Sequence, residues 1–182
     1  MGTIQDPSTR KGAAVNSSGQ LSITGPMETV DYHATVTHQK YWSCPFEDVD
    51  PTGADDYFFY LKNTGTVLLS VPDIRLSTTV AGAVQVQWVT GTAASGTTLT
   101  PVNRYLGSPN APAATIEYGA NITGLTSAGE LFRIDLDTTG KLVKMHTTGN
   151  ILIPPGQAIA LIWDTGTGVL SGSVSVNGAI DS

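Results

Sequence analysis

Five carboxylates crowd one short stretch of the chain, Glu47, Asp48, Asp50, Asp55 and Asp56, interrupted by Pro51-Thr-Gly53. Calcium takes hard oxygen ligands, about six to eight of them. Asp48, Asp50, Asp55 and Asp56 are therefore the candidate calcium ligands, but the stretch lacks the spacing of an EF-hand and its closing glutamate. An acidic surface loop is the simpler reading. Zinc or thiol chemistry would have to draw on His33, His38, His146 and Cys44. The first two histidines are five positions apart, so on a continuous strand they face opposite sides, and no Cys-x-x-Cys or His-Glu-x-x-His motif accompanies them. Cys44, between Trp42-Ser43 and Pro45-Phe46, reads as a small buried hydrophobe beside aromatics.

Asp135 and Asp137 share parity on a strand, as a glycosidase pair would, although either could instead cap the turn at Thr138-Thr-Gly140. No Gly-x-Ser-x-Gly elbow is present, and no glycine-rich phosphate loop precedes a helix. The expectation is a chain that is not an enzyme, with no catalytic residue, no resident metal and no cofactor. Among the aromatics, Trp88 shares parity with Val84 and Val86, and Trp163 with Ile159 and Leu161, which assigns both to a core or an interface. A sugar-stacking surface would rest mostly on loop residues such as Tyr105 and Tyr118, with Trp42 as a further candidate.

These side chains belong to a chain of 182 residues with formal net charge −6 and only 13% charged residues. The charged share is about half the usual one, so Thr, Ser, Asn and Gly must supply the surface polarity. No basic field exists to gather phosphates, which argues against a nucleic-acid partner. The 40% hydrophobic content excludes wholesale disorder. A single cysteine excludes an intrachain disulfide. The start, Met1-Gly-Thr-Ile-Gln-Asp-Pro, has no signal-peptide core, and no run approaches the roughly 18 apolar residues of a membrane span, so a soluble chain with no membrane partner is expected.

Period-two alternation dominates from Thr29 onward. It is seen at Tyr32, Ala34 and Val36, and most cleanly at Val84, Val86 and Trp88. Further strands are predicted at 57–61, 67–71, 74–78, 98–100, 115–118, 131–136, 142–146, 151–153, 158–164 and 171–176, with Pro72 dividing two of them. Long loops are expected near 44–55 and 103–114. No window carries a helical stripe. Roughly nine or ten short strands punctuated by Gly, Asn and Pro predict an all-β fold, an antiparallel two-sheet β-sandwich over 27–182. A jelly roll is the expected form and an up-and-down barrel the alternative. Residues 1–26 are small and polar. They read as an N-terminal arm, flexible or docked on a partner, because they lack the apolar groups to offset their ordering entropy. Arg10 and Lys11 are the only basic pair in the first 30 residues, and Val15, Leu21 and Ile23 are the arm's apolar anchors. Leu21-Ser-Ile23 could pair as an edge strand.

The phrases Asp6-Pro-Ser-Thr-Arg-Lys-Gly-Ala-Ala-Val-Asn-Ser-Ser-Gly-Gln-Leu and Phe59-Tyr-Leu-Lys-Asn-Thr-Gly resemble the openings of tailed-phage virion structural proteins, in which a polar arm leads into a β-domain. Thr100-Pro-Val-Asn-Arg-Tyr-Leu-Gly-Ser and Ile153-Pro-Pro-Gly-Gln-Ala-Ile-Ala-Leu-Ile-Trp are similar to segments of the same group. The resemblance implies a head decoration (cement) protein of the virion, made in the host cytoplasm. Its partners would be the major capsid protein and its own copies, in a homo-oligomer expected to be a trimer. The alternative is a carbohydrate-binding or adhesin module of the tail or baseplate.

Overall fold

The structure, a computed structural model, describes residues 3–5, 12–15, 21–24, 39–137 and 140–178. The predicted strand at Tyr32–Val36 lies outside them, as do His33 and His38. Three short strands, β1 (Thr3–Gln5), β2 (Gly12–Val15) and β3 (Leu21–Thr24), form an antiparallel sheet of their own.

The remaining strands are β4 (Tyr41–Val49), β5 (Asp56–Asn63), β6 (Leu69–Thr78), β7 (Gly82–Ala94), β8 (Thr97–Thr98), β9 (Val102–Asn103), β10 (Ala114–Tyr118), β11 (Thr123–Leu136), β12 (Val143–Ile153), β13 (Ala158–Trp163) and β14 (Leu170–Gly178). They build a six-stranded sheet ordered β11-β7-β13-β5-β10-β8 and a five-stranded sheet ordered β12-β6-β14-β4-β9, every ladder antiparallel. The two sheets pack face to face as a β-sandwich. Phe59, Val86 and Leu161 from one sheet meet Cys44, Ile74 and Val174 from the other in a single apolar core. Phe46 tilts against Phe58 and Phe59 at centroid distances of 5.8 and 5.6 Å, in the range aromatic pairs favour. Each such side chain contributes about 1.5–3 kcal/mol by leaving water. A smaller cluster, Tyr60, Val89, Ile122, Ala158 and Ala160, forms where the chain at Gly119–Ile122 folds over the other face of the six-stranded sheet.

The ladders nest. Strand β7 pairs with β11, β6 with β12, β5 with β13 and β4 with β14. The chain thus runs out along one arm of a doubled ribbon and back along the other, with β8 to β10 inserted near the fold of the ribbon.

Two expectations about strands need correction. The predicted loop at 44–55 begins inside β4, whose Trp42, Cys44 and Phe46 point into the core. Pro45 misled the reading, but β9 covers only Trp42 and Ser43, so the rest of β4 is an edge where a missing N–H is tolerated. Pro72 does not divide two strands either; it lies within β6, a central strand. The sheet accommodates it because both flanking ladders are irregular there, between Val174 and Asn177 on β14 and between His146 and Ile151 on β12.

Candidate functional site

At one end of the sandwich the starts of β4 and β6, the end of β14 and the loop before β10 enclose a cleft of about 410 Å³. Lys40, Trp42, Val67, Leu69, Asn110 and Pro112 are among its lining residues. The cleft sits where the described sandwich begins, at Gln39 and Lys40, and ends, at Gly178. One wall is tied by Asn63, buried at the end of β5, which donates to the carbonyls of Val67 (2.7 Å) and Ile153 (2.8 Å) and accepts the Gly65 N–H (2.9 Å).

The opposite wall is the insert 99–113, fastened to β4 at several points. Trp42 Nε1 donates to the Asn110 carbonyl (3.0 Å), Asn103 donates to the Gln39 carbonyl (2.8 Å), and the Arg104 N–H donates to the Tyr41 carbonyl (2.8 Å). The Arg104 guanidinium lies over the Tyr41 ring, 4.5 Å from its centroid, a cation–π arrangement. So held, the insert exposes Val102, Tyr105 and Leu106, the last 86% exposed.

Among the described residues, those singled out from sequence do not assemble into a reactive centre. Among the described residues no group of three or more His, Cys, Asp or Glu is placed to hold a metal ion. Asp48, Asp50, Asp55 and Asp56 form no such group. Asp56 closes its own turn, accepting from Thr52 Oγ1 (2.8 Å) and the Gly53 N–H (2.7 Å). Asp48 lies at a bulge with φ of 53° and gives its N–H to Ser171 Oγ (3.1 Å). Cys44 is buried in the core, and desolvation pushes its thiol up to about 12, far from a nucleophile's range. Asp135 is exposed and faces Arg133 at 3.6 Å, while Arg133 also engages Asp164.

Trp42 and Trp163 are buried, with indole N–H groups committed to the carbonyls of Asn110 and Thr167. Trp88 shares the parity of Val84 and Val86, as read, but lies beyond the sandwich core and is 44% exposed, its N–H donated to Gln157 Oε1 (3.0 Å). Tyr105, 42% exposed, follows β9 on the opposite flank, so the two exposed aromatics form no shared platform. Of the arm residues, Arg10 and Lys11 lie outside the described residues. Val15 is opposite Leu21 and Ile23 opposite Ala13 in the small sheet. Sequence reasoning missed the cleft and Leu106. The only signal was the apolar Tyr105-Leu106 pair within a predicted loop.

No protein-family model matches the chain, and comparison with curated proteins and with solved structures finds no match. Among the described residues no helix is long and apolar enough to cross a membrane.

Proposed function

We propose that the chain is a structural component of a phage virion, a decoration (cement) protein that binds the head shell as a homotrimer and catalyses nothing. The observation that carries the reading is the exposed Val102, Tyr105 and Leu106 beside an apolar cleft, on a sandwich whose buried polar groups serve its own packing. We also read the nested ladders as a jelly roll, an architecture used by capsid and lectin domains. The resemblance of the arm and of 100–108 to tailed-phage virion proteins supports the same reading.

The mechanism is multivalent contact. Each copy buries weakly charged β surface against its neighbours, and the arm reaches to an adjacent shell subunit, the major capsid protein. Modest contacts repeated over a symmetric shell sum to a large effect. The test mixes undecorated capsids with the full chain and with an arm variant, Leu21→Asp combined with Ile23→Asp, and measures occupancy. Binding by the wild type with reduced occupancy for the variant is expected. Failure of the wild type to bind would overturn the reading, and equal occupancy would remove the arm from the mechanism.

A further inference from the structure

We infer that the cleft end of the sandwich is the face that docks, and that it fits an acidic protein surface whose apolar side chains fill the cleft. The inference rests on the decoration reading and names the part of this chain that meets the partner.

Charge is divided along the strands. Strand β4 runs from Tyr41 at the cleft end to Val49 at the far end, about 30 Å at the rise of a β-strand. At the far end Glu47, Asp48, Asp50 and Asp55 are all exposed, next to the turn held by Asp56. At the cleft end stand Lys40, which lines the cleft, Lys62, one residue before Asn63, and Arg104. The insert from 99 to 113 contains no acidic residue. The far half also holds Arg133, Lys141 and Lys144, but Arg133 is paired with Asp135 and Asp164, so carboxylates still outnumber cations there, and in a chain of net charge −6 the cleft end is the one that attracts an acidic surface. Complementarity of this kind sets the orientation and rate of encounter.

Of the exposed apolar groups, Val102, Tyr105 and Leu106 cluster at the same end, while Leu142, Trp88 and Leu131 are scattered elsewhere. Arg104 is fixed over Tyr41, with exposed Val102, Tyr105 and Leu106 around it. Tyr and Arg beside an apolar anchor are the composition that carries binding energy at protein interfaces. Covalent connectivity points the same way. The 38 residues that precede Gln39 join the sandwich at the cleft, so an arm contact and a body contact would be tethered close together, which raises the effective concentration of the second once the first is made. The acidic end of a second copy would satisfy the same chemistry, but such a head-to-tail contact joins opposite ends of the sandwich and builds filaments unless its rotation closes a ring.

The experiment titrates undecorated capsids with the full chain at two salt concentrations. Three variants accompany the wild type: Lys40→Glu with Arg104→Glu, Leu106→Asp alone, and Glu47→Lys with Asp50→Lys at the far end. Melting curves verify that each is folded, and Leu106→Asp, on a fully open tip, keeps the test valid if the Arg104 change disturbs Tyr41. Losing a central anchor should weaken capsid binding by about tenfold or more for both cleft-end variants. The charge pair should matter more at low salt, and the far-end variant should lose nothing. Wild-type binding by the cleft-end variants, or a tenfold loss at the far end, would overturn the inference and leave the decoration reading standing. No capsid binding by the wild type would overturn both. Filaments that Arg104→Glu dissolves would place a second copy in the cleft and overturn the foreign partner.

Discussion

Asp73 occupies the place where the five-stranded sheet is interrupted, next to Pro72, and only 4% of it is exposed. Its carboxylate accepts hydrogen bonds from Ser175 Oγ (3.0 Å) and the Tyr41 hydroxyl (3.4 Å), and Arg75 Nε lies 3.3 Å away. Ser175 falls within the irregular stretch of β14, so side-chain bonds join β6 to β14 where the ladder does not. Asp73→Ala would leave the buried Ser175 hydroxyl without this acceptor, and an unmade buried hydrogen bond costs about 1–3 kcal/mol. The Tyr41 bond is long and Arg75 is partly exposed, so each adds less, and the expected loss is about 3 kcal/mol. For a chain of this size that corresponds to a fall in Tm of about 6–12 °C. The assay is urea unfolding of Asp73→Ala, Ser175→Ala and the double variant at one fixed chain concentration. The cycle should give a coupling of about 1 kcal/mol or more. Asp73→Asn, which keeps one acceptor oxygen and the shape, should recover part of the loss. A loss below about 0.5 kcal/mol for Asp73→Ala, or strict additivity with Ser175→Ala, would refute a stapling role for the carboxylate.

Gly172→Ala should destabilise by about 2 kcal/mol or more, because a Cβ there would run into the carbonyl oxygen of Arg75 on the adjacent strand; unchanged urea midpoints would contradict this close approach. Cys44 is a neutral thiol in the fold, and its ordinary value of 9.0 is raised to about 12 by desolvation, so the unfolded chain releases the proton first. Its contribution is whole below pH 9 and is lost as pH rises toward about 12, at no more than about 1.4 kcal/mol per pH unit. Tyr57 and Tyr60, raised chiefly by burial, add in the same direction, so Cys44→Ala should flatten but not abolish an alkaline decline in Tm, and an unchanged slope would count against burial of the thiol as its cause. Light scattering coupled to gel filtration should return a mass of about three chains, and a clean monomer at micromolar concentration would remove the trimer.

The sandwich was legible because its signal is local and redundant. Val84-Gln-Val-Gln-Trp and Ile159-Ala-Leu-Ile-Trp alternate or saturate with apolar groups in ways no helix would, and both became central strands of the six-stranded sheet. The misreadings share a cause: the local rule was right and the neighbour overrode it. Pro45 and Pro72 argue against strands by themselves, yet one lies where β4 is an edge and the other where two ladders are already irregular, and pairing partners distant in sequence decide both. Trp88 carried core parity, but parity gives a face and not a depth. Trp88 is level with buried Ile159 on one side but with Gly129 on the other, where no side chain flanks it, so a residue of core parity can still be in water. The candidate site was least legible for the same reason. Its cleft exists only because Trp42 is tied to Asn110, Asn103 to Gln39 and Asn63 to Ile153 by hydrogen bonds across long sequence separations. The acidic stretch, by contrast, was plain in the sequence and drew attention to metal chemistry. Once the strands place it about 30 Å from the cleft, its consequence is the opposite field at the other end of the molecule, a property of the whole charge distribution that no local motif encodes.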